Sequence, residues 1–111
     1  MKTSQLTRGE KRRLMYVEGK EQLIDGARAR IGWVTFSKSG RSVYYRGITL
    51  SRLKGGGTSG NFFHAETRTE FWVSGVKQRG SNAHPAEGRV DVLIDDDARD
   101  AYREMREGVS T

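Results

Sequence analysis

The 111-residue chain contains no cysteine and a single proline, and only 34% of its residues are apolar. Without cysteine there is no disulfide framework, no thiolate nucleophile and no cysteine-based zinc site. No apolar run approaches the ~20 residues that a membrane span requires, and charged residues occupy the N-terminus where a signal peptide would have its apolar segment. The sequence therefore predicts one small domain in the cytoplasm, with no membrane partner.

Charges of both signs are abundant but unevenly distributed. Residues 1–90 carry 17 Lys and Arg against 7 Asp and Glu, a net charge of +10, whereas residues 91–111 carry 3 against 7, a net charge of −4. A basic body attracts polyanions and favours phosphate contacts through counterion release, so nucleic acid is the first partner class to consider. The alternative is that the charge serves solubility alone.

Local composition divides the chain into three segments. Residues 1–13 are rich in Lys and Arg, with only Met1 and Leu6 as apolar residues, which predicts a flexible basic arm. This arm either becomes ordered on nucleic acid or is a frayed terminus. Residues 14–108 form a single β-rich domain, and residues 109–111 are a tail.

Short strands separated by glycine-rich turns dominate the domain. Alternating β-branched and aromatic residues predict strands or hairpins at 14–17, 30–53, 61–77 and 90–94. Gly47 interrupts one strand, which suits a bulge or the sharp bend that closes a small barrel. The predicted fold class is mainly β: a small, strongly bent antiparallel sheet or SH3-like barrel.

One C-terminal helix is predicted to pack on the sheet. Its start, Asp95–Asp97, offers carboxylates that cap free N–H groups; a metal site there is less favoured, because consecutive side chains diverge. Apolar residues at helical spacing give the helix one apolar stripe. The members of one shared core are predicted to be Ile31, Val34, Phe36, Ile48, Leu50, Val73, Val92, Ile94, Ala101, Tyr102 and Met105.

No constellation of catalytic residues is recognisable. The glycine-rich segment 54–60 lacks the helix and the Lys-Ser/Thr pair of a phosphate-binding loop, so it is interpreted as a hairpin connection. The two histidines, His64 and His84, lack metal-ligand spacing, and no serine lies in a nucleophile elbow. The sequence therefore predicts a non-enzymatic protein without a cofactor or metal.

Aromatic residues are interleaved with basic ones. The adjacent pairs 44–45, 62–63 and 71–72 must point to opposite faces of their strands, so at least one row of rings faces outward or lies beneath the helix. An outward row beside Arg and Lys is how β-barrels stack the bases of single strands, whereas a covered row is ordinary core. The candidate nucleic-acid-binding residues are Arg12, Arg13, Trp33, Tyr44, Arg46, Arg52, Lys54, Trp72, Lys77 and Arg79.

Four stretches span most of residues 14–105: LMYVE, RIGWVTFSKSGRSVYYRG, EFWVSGVKQRGSN and VLIDDDARDAYREM. They resemble blocks in a group of small bacterial hypothetical proteins of about this length. Some members of that group have been named deoxyxylulose-phosphate synthases. A thiamine-diphosphate enzyme, however, requires several hundred residues and a metal–pyrophosphate motif that this sequence lacks. The resemblance implies a family and no activity.

Two functions remain open on these grounds. The first is a binding module that contacts RNA or single-stranded DNA through a basic and aromatic sheet face. The second is a protein-interaction module, such as an inhibitor or accessory subunit, that docks through a sheet edge or the acidic C-terminal helix.

Overall fold

Strand pairing closes the sheet into a barrel in the computed structural model, which describes residues 10–53, 60–77 and 91–107. Each strand pairs antiparallel with the next one along the chain, and the first also pairs with the sixth. The prediction of a mainly β fold with a small barrel is thereby confirmed. Strands β1 to β6 are, in order, Lys11–Gly19, Ala29–Phe36, Ser42–Tyr45, Ile48–Arg52, Phe62–His64 and Glu70–Gly75.

The C-terminal segment adds one more strand and the predicted helix. Strand β7 (Val92–Ile94) pairs parallel with residues 29–31 of β2. A 3-10 turn at Asp96–Ala98 then leads into helix α1 (Arg99–Glu107). Because β3 pairs only with the C-terminal end of β2, β7 takes the part of that edge that β3 leaves free.

The barrel interior holds the main apolar core. Alternation along each strand places every second side chain inside, as Val17 of β1 and its cross-strand partner Val73 of β6 illustrate. The buried members of this core are Val17, Ile24, Val34, Val43, Tyr45, Leu50, Phe62, Phe71 and Val73.

A second apolar cluster lies on the outside of the barrel, beneath the helix. Tyr16, Ala29 and Ile31 are buried there, and Ile94 of β7 and Tyr102 of α1 pack against them. We call this region the covered wall. It accounts for the predicted packing of the helix on the sheet, since α1 reaches the barrel through its outer surface.

The prediction of one core shared by sheet and helix is therefore wrong. A closed barrel separates its interior from any element packed outside, so the helix joins the outer cluster instead of the inner one. Val92 is exposed, and Ala101 and Met105 are only half-buried.

Two boundaries also differ from the prediction. Strand β1 begins at Lys11, so residues 11–13 of the predicted flexible arm pair with residues 34–36 of β2; residues 1–9 and the tail 109–111 lie outside the described residues. The second half of the predicted hairpin 30–53, which Gly47 interrupts, divides into two strands, β3 and β4. Arg46 and Gly47 both have positive φ, 47° and 83°, and form the tight turn between the paired residues Tyr45 and Ile48.

Candidate nucleic-acid interface

The three adjacent aromatic pairs each divide between the inside and the outside of the barrel. Tyr45, Phe62 and Phe71 are buried in the inner core. Their neighbours point outward: Tyr44 is 40% exposed, while Trp72 packs in the covered wall. Strand alternation thus produces one uncovered tyrosine and one covered tryptophan.

Part of the outer surface is not covered by the helix, and it carries an aromatic and a basic group. Cross-strand pairing aligns Arg12 of β1, Thr35 of β2, Tyr44 of β3 and Thr49 of β4 in one outward row. Trp33 lies two residues from Thr35 and therefore on the same face. We call these five residues the open wall.

Arg12 and Trp33 form a fixed pair at the edge of the open wall. The guanidinium carbon of Arg12 lies 4.6 Å from the centroid of the Trp33 ring. Trp33 Nε1 donates a hydrogen bond to the backbone oxygen of Asp97 at 3.1 Å, and Arg12 Nη2 lies 4.0 Å from the Asp97 carboxylate. A guanidinium held over an indole offers a flat cationic surface on which a base can stack.

An open pocket of about 250 Å³ lies at the rim of the barrel, where β1 begins and β2 ends. Lys11 and Arg13 face this pocket because they alternate with the outward Arg12. Its other lining residues are Phe36 and the turn formed by residues 37–40. We call it the rim pocket.

Among the residues that the structure describes, the cations of the rim pocket have no acidic partners. Within the described ranges, no carboxylate forms an ion pair with Lys11, Arg13 or Lys38. Arg52 lies close by: its Nη2 donates to the backbone oxygen of Gly40 at 3.2 Å, and its guanidinium lies 4.9 Å from the Phe62 ring centroid. Positive charge is therefore concentrated at this end of the barrel.

Several candidate residues lie away from this surface. Arg46 belongs to the β3–β4 turn, which is at the opposite end of an up-and-down barrel from the β2–β3 turn. Trp72 is in the covered wall, and the backbone oxygen of Lys77 accepts a hydrogen bond from Arg106 Nη1 at 3.1 Å. Lys54 and Arg79 lie outside the described residues.

Lys11 and Lys38 are not among the residues predicted to bind nucleic acid. Lys38 lies within the predicted hairpin 30–53, and Lys11 lies within the predicted flexible arm. The signal that could have found them is the basic run Lys11–Arg13, because alternation in a strand sends its first and third members to the face opposite Arg12.

Asp95 does not cap the helix as predicted, because its side chain turns into the end of the barrel. Its Oδ1 lies 2.9 Å from Arg30 Nη1, and its Oδ2 accepts a hydrogen bond of 2.5 Å from the Tyr45 hydroxyl. Asp95 makes no side-chain capping bond. Gly32 leaves the space for this arrangement, since a Cβ there would overlap the Asp95 carboxylate. We call Arg30, Tyr45 and Asp95 the Asp95 cluster.

Arg46 links the Asp95 cluster to the surface. Its Nη1 lies 3.4 Å from Asp95 Oδ1, and its Nε donates to the Asp25 carboxylate at 2.6 Å. That hydrogen bond lowers the pKa of Asp25 and raises the pKa of Arg46. The guanidinium of Arg46 is thus paired with Asp25 and Asp95. This pairing argues against its predicted contact with nucleic acid.

Burial raises the pKa of the Tyr45 hydroxyl far above its usual value of 10.0, and the hydrogen bond to Asp95 and the negative charge of Asp95 act in the same direction. The folded protein therefore keeps a proton that the unfolded chain releases. The contribution of the protonated Tyr45 hydroxyl to the free energy of unfolding is complete below about pH 10 and is lost as the pH rises above it. We expect the urea midpoint to fall above about pH 10 and to fall less steeply in Tyr45→Phe.

Tyr44→Phe is the matched control for this alkaline titration, because Tyr44 is the adjacent tyrosine and is exposed. It should retain the alkaline loss of stability seen in the wild type. Parallel pH profiles for Tyr45→Phe and the wild type would contradict the assignment of this effect to Tyr45.

Glu18 is a second buried carboxylate, located on β1 at the end opposite the rim pocket. It is fully buried, and its Oε1 accepts a hydrogen bond of 2.5 Å from the Tyr16 hydroxyl. Its Oε2 lies 2.9 Å from Lys20 Nζ and 3.6 Å from Arg28 Nη2. Both carboxylate oxygens are thus occupied by donors from the protein itself.

The other polar candidates from the sequence also have structural partners. His64 is buried, and its Nδ1 accepts hydrogen bonds from the backbone N–H groups of Glu66 and Thr67, which fixes the β5–β6 turn. Among the residues that the structure describes, no three His, Cys, Asp or Glu side chains are grouped to hold a metal ion. Over the same residues, no helix has the length and apolar character needed to cross a membrane.

Comparison with protein-family models, with curated proteins and with solved structures finds no match to this chain. The family suggested by the sequence blocks therefore stays a prediction.

Proposed function

We propose that this chain is a non-enzymatic, cytoplasmic module that binds RNA or single-stranded DNA. The open wall stacks bases, and the basic rim binds phosphates. The observation that carries the proposal is the exposed Tyr44 ring in one row with Arg12, close to lysines that have no acidic partner among the described residues. Aromatic rings beside a basic groove are the features with which barrels bind single strands.

A single strand suits this surface better than a duplex does. A base can stack on Tyr44 or on the Arg12 guanidinium only when it is free of its own stack. The open wall offers no long helix or β-ribbon to enter a major groove, since α1 packs on the covered wall instead. Recognition through stacking and phosphates tolerates many sequences.

Docking of a protein segment is the second candidate, and the surface of β7 and α1 favours it. Leu93 is 48% exposed and Val92 is 37% exposed on this short strand. A groove of about 460 Å³ is lined by Ile94 of this strand and by Tyr102, three arginines and Glu107 of α1. The sequence predicts docking through the acidic residues of the helix, but this groove presents three arginines against one glutamate, so an acidic segment would suit it better.

We expect binding of labelled mixed-sequence RNA and DNA, followed by fluorescence anisotropy, to weaken steeply with salt, because each neutralised phosphate releases a counterion. Tyr44→Ala should cost about 1–3 kcal/mol per stacked base and leave the salt slope nearly unchanged. The double variant Lys11→Gln/Lys38→Gln should flatten the slope. The two kinds of substitution thus separate stacking from charge.

The control for lost charge is Arg99→Gln/Arg103→Gln, which removes two cations from α1 that belong neither to the open wall nor to the lining of the rim pocket. Circular dichroism spectra should show that every variant is folded. If the wild type binds no strand at low salt and micromolar concentration, the nucleic-acid function is wrong and the protein-docking function takes its place.

A further inference from the structure

The rim pocket differs from the open wall in shape as well as in charge. The open wall is an outer surface, whereas the pocket is a recess lined in part by Phe36, which packs against the inner core. A chain can therefore enter the pocket but cannot continue through the barrel. We infer that the rim pocket holds the terminal phosphate of the bound strand, an inference that rests on the proposed function.

The pocket supplies both charges and hydrogen-bond donors for such a group. Lys11, Arg13 and Lys38 line it, and none has an ion pair with a carboxylate among the described residues. Three converging cations match a terminal phosphate, which carries a charge of about −1.5 to −2 near neutral pH and has three free oxygens. A phosphate within a strand has one charge and two free oxygens, and its chain must leave on both sides.

The two serines of the pocket are arranged to donate. Ser37 Oγ accepts a hydrogen bond from the backbone N–H of Ser42 at 3.1 Å, and Ser39 Oγ accepts one from the backbone N–H of Arg41 at 3.2 Å. A hydroxyl has two acceptor sites and one proton. Because each serine meets a backbone donor with an oxygen lone pair, its own proton is available for a phosphate oxygen.

The size of the pocket agrees with a phosphate. Its volume is about 250 Å³. This is below the ~300–1,000 Å³ of sites that enclose drug-sized molecules, and it leaves room for a phosphate and ordered water. The cations and serine hydroxyls of the lining suit the phosphate better than the base, so the base is placed outside the pocket.

The open wall is the nearest place for that base. The inward pair of Lys11 and Phe36 and the outward pair of Arg12 and Thr35 are consecutive in the β1–β2 register, on opposite faces of the same wall. A strand that ends in the pocket therefore crosses the rim and meets Arg12 and Tyr44 first. One bound strand can therefore place its terminal phosphate in the rim pocket and its first base on the open wall.

The test compares one oligonucleotide sequence in three forms: with a 5′-phosphate, with a 3′-phosphate, and with hydroxyls at both ends. We expect one of the phosphorylated forms to bind at least about tenfold more tightly than the hydroxyl form, and the end that gains identifies the strand polarity. Lys11→Gln/Lys38→Gln should abolish this preference while still binding the hydroxyl form. Arg99→Gln/Arg103→Gln, which loses the same charge, should keep it.

Each outcome is decisive. Loss of the preference only in the pocket variant supports the terminal-phosphate site. Equal affinity of the wild type for all three forms, or an unchanged preference in the pocket variant, overturns the inference and leaves the proposed function standing. Absence of binding to any form overturns both.

Discussion

Asp95→Ala is expected to lower the free energy of unfolding by about 3–5 kcal/mol, because removing the acid of a buried ion pair leaves the Arg30 charge without its counterion. The side chains of Arg30 and Asp95 are only 9% and 7% exposed. The substitution also removes the acceptor of the Tyr45 hydroxyl. Urea denaturation, followed by circular dichroism, measures the change.

Asp96→Ala is the matched control, because the neighbouring Asp96 side chain is 95% exposed and pairs with the exposed Arg99 at the helix start. Its stability should stay close to that of the wild type. Asp95→Asn, which keeps the shape but not the charge, should fall between the two. A stability of Asp95→Ala within about 1 kcal/mol of the wild type would contradict the importance of the Asp95 cluster.

Glu18→Ala is expected to destabilise the protein by a similar amount, about 3–5 kcal/mol, because it removes the carboxylate of a buried ion pair with Lys20. The Glu18 side chain is fully buried, and the Lys20 side chain is only 4% exposed. The Tyr16 hydroxyl loses its acceptor at the same time. Thermal denaturation should show a midpoint lower by more than about 10 °C, given 4–8 °C per kcal/mol for small domains.

Glu21→Ala is the control for this effect, since Glu21 is an exposed glutamate three residues away, on the connection that follows β1. Its melting temperature should change little. Glu18→Gln should retain part of the stability, because an amide oxygen can still accept from Tyr16. Equal melting of Glu18→Ala and Glu21→Ala would show that the buried carboxylate contributes no more than a surface one.

The barrel could be predicted because its local signals agree with one another. Alternation of large apolar residues marks the strands, and it correctly assigns neighbouring aromatics to opposite faces, as with the buried Tyr45 and the exposed Tyr44. The single predicted core was wrong for a different reason. Alternation shows that two faces exist, but only closure of the barrel determines that one becomes an interior and the other an outer wall under the helix.

Contacts between residues far apart in the sequence could not be predicted from local sequence patterns. Asp95 stands where a capping carboxylate is expected, and nothing near it in the sequence indicates that Arg30, 65 residues away, will take its side chain. The start of β1 was missed because Lys11–Arg13 has no apolar residue, although cross-strand pairing with β2 is sufficient to order it.

In the candidate site too, the sequence predicts residue types, whereas the fold determines which residues come together. The sequence identified Arg12, Trp33 and Tyr44 by residue type, and the register of β1, β2 and β3 brings them to one surface. It also selected Arg46, which the fold uses for an ion pair with Asp25. Strand register and turn geometry determine which cations lie close together. Neither can be predicted from the amino-acid composition.

The closing seam between β1 and β6 has a consequence for the order in which the chain can fold. Every other antiparallel pair joins strands that follow each other, but Val17 must find Val73 across most of the barrel sequence. Closing so long a loop costs more entropy than forming a hairpin and slows folding. During synthesis, one edge of β1 therefore stays unpaired until β6 has been made. We expect substitutions that weaken the β1–β6 pairing to raise aggregation of the nascent protein before they alter the surface of the folded protein.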